Sequence, residues 1–298
     1  MYCVAHDKYY IQEAVKELNA YNYTGYLDKI FSFEFSLPLI EVGQIRTVVK
    51  TGLTRGLPQV DKLLIDASVD LMAQQTWSCY TDVLIVHPRE AERLVSSILF
   101  DIKEIVTEVD FVDFYLLQLL KLKFPEVYKL LFDWKRFLRR GDDGVFYAIN
   151  VSMENGQEMT LLEKYLSKNF ELLGIPEHKI SIVHIIICHL LDERYDVNLP
   201  FNLNLYSYNG FQHVNNHSKY FSLRLDKTCL PTVEFVEARK KTWLIFLDSL
   251  ETWFESGKIN DVFHKLKYDV KHSLYILSWQ MLRLQLSRET TKSLFLYW

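Results

Sequence analysis

Tyr26 to Pro38, YLDKIFSFEFSLP, is the stretch on which the reading of the fold turns. Phe31, Phe33 and Phe35 alternate with Ser32, Glu34 and Ser36, the period-two pattern of a strand with one apolar face. Pro38 has no amide hydrogen for a ladder and ends it. A lone strand is not stable, and Met1 to Ala5, MYCVA, is the nearest candidate partner. With a short helix expected over Lys8 to Leu18 between them, residues 1–38 read as a remnant of an α/β sheet. Everything after Pro38 reads as helical. The expected fold class is therefore mainly α, with an N-terminal α/β remnant of two strands and a helix.

Outward from that stretch, residues 39–140 and 141–298 form two further helical regions. Glycines at Gly43, Gly52 and Gly56 mark an irregular interval, and Pro58 opens a helix near Gln59 to Gln74. Pro88 suits the first turn of a helix whose buried stripe is Ala91, Leu94, Val95, Ile98, Leu99, Ile102 and Val106. Asp110 to Leu122 is so densely apolar that its helix should be covered on most sides. Pro125 restarts the chain as a helix running to Gly141. Beyond a short extended piece, FYAINV, helices are expected over Leu161 to Leu173, Glu177 to Asp192, Thr232 to Phe254 and Lys258 to Leu286. Leu199 to Gly210 reads as a loop. The apolar ending SLFLYW suggests a natural chain that continues.

Four pieces in order, CVAHDKYYIQEAV, YLDKIFSFEFSLP, HPREAERLVSSI and DFVDFYLLQLLKLKFPEVYKLL, resemble the second half of the KAP family of P-loop NTPases. There, late core strands lead to a helical lid carrying a P-R-D/E-x-x-R motif. The resemblance implies the regulatory lid and helical portion of such an enzyme, coupling nucleotide state to partner binding in bacterial signalling or phage defence. It assigns nucleotide-binding roles to Arg89 and Arg93 in the lid and to Asp7 in the corner after the first strand. Residue by residue, ordinary readings stand beside these. Arg89 or Arg93 can pair with Glu90 or Glu92 on a solvated helix, and Asp7 can cap the helix that starts at Lys8.

No G-x-x-x-x-G-K-[ST] occurs, and Gly52 to Pro58, GLTRGLP, lacks the lysine a phosphate loop requires. A strand ending in paired acids is missing too. The chain therefore reads as a fragment or split half, with no ATPase activity expected of it alone. ATP and magnesium would be bound only with an upstream P-loop half. That half, or further copies of the chain, are the partners the resemblance implies.

Bulk properties narrow the rest. With 34 Lys and Arg against 38 Asp and Glu, the net charge of -4 argues against nucleic acid as the main partner. Cys3, Cys79, Cys188 and Cys229 have neither zinc nor disulfide spacing, which fits reduced thiols and a cytoplasmic setting. The longest apolar run, Ile180 to Leu191, is too short for a bilayer. His184 and His189 are five apart and point away from each other on a helix, and His213 and His217 sit in a loop-like context. Lys135, Arg136, Arg139 and Arg140 form a basic cluster that can face phosphate or simply complement a helix end. The alternative function is a free-standing α-helical scaffold whose aromatic surface binds another protein.

Overall fold

A computed structural model describes residues 8–18, 41–73, 78–133, 137–141, 146–152, 158–191 and 209–267. The chain is mainly α and divides into two units, Met1–Ile40 and Glu41–Trp298. In the first unit the described element is α1, Lys8–Leu18, with Tyr9 and Tyr10 exposed and Lys16 paired to Glu13. The two strands expected over Met1 to Ala5 and Ile30 to Ser36, and the site residue Asp7, lie outside the described residues.

The second unit opens with α2, Val42–Gly56, where an irregular glycine-bearing interval was expected. Ile45, Val49 and Leu53, four apart, bury one stripe of this helix, and Leu57 follows it into the core. Gly52 and Gly56 serve the helix by having no side chain. A Cβ at Gly52 would lie 2.8 Å from a Val95 methyl, and one at Gly56 would overlap the methyls of Leu99. The glycines cost helix propensity, about 1 kcal/mol each, and the close crossing of α2 over α5 offsets it.

Next come α3, Lys62–Val69, capped by Asp61, a β1–β2 pair (Met72–Ala73 with Ser78–Cys79), and α4, Tyr80–Leu84. Helix α5, Pro88–Asp101, starts on its proline and buries Ala91, Leu94, Val95 and Ile98. Helix α6, Phe111–Lys123, begins where the Asp110 carboxylate accepts from the amides of Val112 and Asp113. Phe111, Val112 and every residue from Phe114 to Leu120 are buried, so α6 is the central rod, packed by α3, α4, α5 and α7. Inside it the Tyr115 hydroxyl donates to Thr81 Oγ1 at 2.8 Å, and that hydroxyl donates to the Val69 carbonyl at 2.7 Å. No buried hydroxyl there is left unmatched.

Helix α7, Pro125–Phe132, is shorter than expected, and Leu138–Arg140 is a strand, β3, paired with β4, Phe146–Ala148. Arg139 and Arg140 thus lie on an edge hairpin instead of a helix end, while Lys135 and Arg136 fall outside the described residues. Phe137, in the turn just before the strand, and Leu138 are both buried, with Phe137 against Tyr165 at 5.0 Å. A third hairpin, β5 (Asn150–Ser152) with β6 (Glu158–Thr160), leads into α8, Leu161–Asn169, capped by Thr160. Helix α9, Ile180–Leu191, enters through a short turn, Glu177–Lys179.

After residue 209 the chain is helical where a loop-like context was expected: α10 runs Val214–Ser222. Its asparagines and histidines are weak helix formers, and burial of Tyr220 holds it in place. The single helix expected through Phe254 is two, α11 (Thr232–Lys240) and α12 (Trp243–Glu255), because Lys241 turns extended after a run of cations. They fold back on each other around Trp253, with Phe235 and Phe246 at 6.3 and 6.1 Å. Helix α13, Ile259–Lys267, completes the described chain. One buried apolar cluster spans Ile45 to Tyr220, across residue 140, and a second spans Leu230 to Leu266.

Candidate functional site

The lid motif lies at the start of α5. Arg89 and Arg93 are both exposed, one helical turn apart, and neither makes an ion pair among the described residues. The carboxylates expected to hold them are otherwise engaged or free in solvent. Glu90 accepts from the Val86 amide at 3.1 Å and from Lys123 Nζ at 2.7 Å, and so ties the start of α5 to the end of α6. Glu92 is exposed. Partial burial pushes the Glu90 carboxyl up, but the bonds from Lys123 and Val86 outweigh it and hold the group below its ordinary range.

A second lysine stands close by. Lys179 Nζ donates to the Val83 carbonyl at 3.2 Å, and burial, then the charge of Lys123, push its ammonium below the usual value, with Glu90 opposing. Glu90 thus pairs with Lys123, Lys179 lies near enough to feel both charges, and Arg89 is the chain neighbour of that carboxylate. Local charge at this helix start is positive, on top of the positive end of the helix dipole. An anion is the natural complement.

Lys123 and Lys179 could not be found from spacing, since they lie 33 and 89 residues from Glu90 and come near it only through the packing of α6 and the turn before α9. Gly52 to Gly56 ends a helix, which removes the glycine-rich segment from consideration as a phosphate cradle.

The remaining candidates are structural. Burial pushes His189 down to about 4, and lowers His184 with Glu163 opposing. Cys188 Sγ and Glu163 Oε2 approach the same nitrogen, His184 Nε2, at 3.4 and 3.6 Å, so no carboxylate–imidazole–thiol relay forms. His217 lies inside α10, donating Nε2–H to the Leu131 carbonyl at 3.0 Å, while His213 faces His264 with ring centres 5.0 Å apart. The two histidines thus serve different neighbours. Arg46 joins Asp70 and Asp82, and Lys50 also pairs with Asp70, stitching α2 to the α3 and α4 ends. Among the described residues no group of three His, Cys, Asp or Glu side chains could hold a metal ion, and no helix is long and apolar enough to cross a membrane.

No family model, no curated protein and no solved structure matches this chain.

Proposed function

We propose that the chain is the regulatory helical part of a nucleotide-driven switch of the KAP kind, with α5 as lid helix and Arg89 as the side chain that reads a phosphate. The reading rests on one observation: Arg89 is exposed and unpaired among the described residues, because its neighbour Glu90 is engaged by Lys123. An arginine in a first turn opposes the helix dipole, so an anionic ligand there relieves an unfavourable arrangement. The guanidinium fork suits phosphate oxygens, and its largest effect comes where charge develops on a transferred phosphoryl group. The phosphate cradle and magnesium would be supplied by a separate P-loop segment, in the cytoplasm, where ATP is available. A role in signalling or phage defence comes with that family.

The test joins the chain to a P-loop-bearing polypeptide, from a neighbouring reading frame or as an engineered fusion, and measures ATP turnover. Arg89→Ala is expected to lower turnover about a hundredfold or more while the melting temperature stays unchanged. Turnover that ignores Arg89 would sink the lid assignment. A second reading, a helical protein-binding scaffold without a nucleotide role, draws on the exposed Phe100, Phe132 and Leu172. It gains if no turnover appears with any upstream half.

A further inference from the structure

Buried charge is concentrated at one seam of this protein, between its two apolar clusters. Lys265 of α13 is fully buried, with Nζ 2.9 Å from Thr232 Oγ1, 3.6 Å from Glu108 Oε2 and 3.9 Å from Asp261 Oδ2. Glu108 comes from the turn between α5 and α6, in the larger cluster's territory, and is 3% exposed. Its Oε1 accepts the Thr232 amide at 2.6 Å and its Oε2 accepts the Thr232 hydroxyl at 2.9 Å. A carboxylate of the larger core thus caps the first turn of α11, where the helix dipole favours negative charge. Asp261 accepts the Leu230 amide at 2.7 Å, and the buried Lys219 of α10 donates to Asn216 Oδ1 at 3.1 Å.

Two apolar faces meeting there would give adhesion without desolvating any ion. A buried charge pair gives little net stability against such a packing, yet losing one member leaves the other stranded. Complete, the knot holds; incomplete, it repels its own neighbours. The helices beyond it carry their own fastenings. Trp253 sits against Phe235 and Phe246, its Nε1–H donates to Glu234 Oε1 at 2.6 Å, and Lys258 stands 3.9 Å from the same carboxylate. The link from α10 starts at Leu223, in left-handed backbone at φ 56°, and exposes Arg224, Asp226, Lys227 and Thr228.

We infer that α11–α13 form a latched arm, a segment that lets go of the larger core as one cooperative unit and loosens when it does, held shut by the Glu108–Thr232–Lys265 knot and hinged between Leu223 and Cys229. Opening bares the α10 face that carries Asn216 and Lys219, along with Glu108. This device does not depend on the nucleotide reading.

Hydrogen exchange followed by mass spectrometry on the full chain tests it, comparing the natural protein with Glu108→Gln. Amides of α11–α13 are expected to exchange at least about tenfold faster as a set, with those of Leu116 to Leu120 in α6 unchanged. Trypsin should cut faster after Arg224 or Lys227 in the same variant. Equal acceleration in α6 and the arm, or none in either, would overturn the latch. Lys265→Met is read in the same way. If neither variant folds the idea also fails, since a latch opens without unfolding the core.

Discussion

The rod at α6 and the seam at α11–α13 solve the problem of burial in opposite ways. Around α6 the interior is mostly apolar, with Phe114, Leu116, Leu119 and Leu120 fully covered, the Tyr115–Thr81–Val69 chain satisfying its hydroxyls, and the buried Asp101 held by Gln118 and Lys121. At the seam two ammonium groups and two carboxylates are covered instead. A close-packed apolar core opens with the whole domain, whereas a charged seam is unbalanced by the loss of a single group. Dependence between the two regions should therefore run one way. Losing the rod takes the arm with it, because a piece of this size does not hold a fold alone, while releasing the arm leaves the rod intact.

The largest expected effect is on the rod. Phe114→Ala should cost about 3–5 kcal/mol, seen as a lower melting temperature, with exchange accelerated in α6 and in the arm alike. An arm that stayed protected in this variant would break the comparison from the rod's side. A smaller loss is expected at the α2–α5 crossing. Gly52→Val drives a branched side chain against Val95 and should destabilise by roughly 1–3 kcal/mol, partly recovered by Val95→Ala in the same chain. Recovery is what distinguishes steric crowding from a change in helix propensity.

The smallest effect is electrostatic and lies at the candidate site. Glu90 is held below its ordinary value of 4.5, so its tie to Lys123 contributes fully above that pH and is lost as pH falls through the lower folded value. Because the pair is partly exposed, the contribution is under about 1 kcal/mol. Glu90→Gln should flatten that acid limb in a pH series of melting temperatures, without moving the arm's exchange rates.

What could be read in advance follows the same division. Pro88 and Pro125 at helix starts and the dense apolar run of α6 are local signals, and each element appears where those signals put it. Helix α2 was hidden because glycines at Gly52 and Gly56 resemble loop punctuation until a crossing partner is known. Strand β3 was hidden because LRR carries no alternation of its own and acquires its form by pairing with residues 146–148. Arg89 stood out through its motif, but the lysines around Glu90 arrive from distant segments. The seam was less legible still, since Glu108 and Thr232 are 124 residues apart and neither belongs to a recognisable pattern. Periodicity reports which side of an element is buried, and says nothing about which charged groups will meet.

The contrast between rod and seam is tested most directly on the natural protein, by following amide exchange in α6 and in α11–α13 through a series of low denaturant concentrations. Arm amides should open at a lower free energy and with a weaker denaturant dependence than those of Leu116 to Leu120, and the two sets should merge only near the global transition. Coincident free energies and slopes for both sets at every concentration would mean a single cooperative body, and would contradict the account.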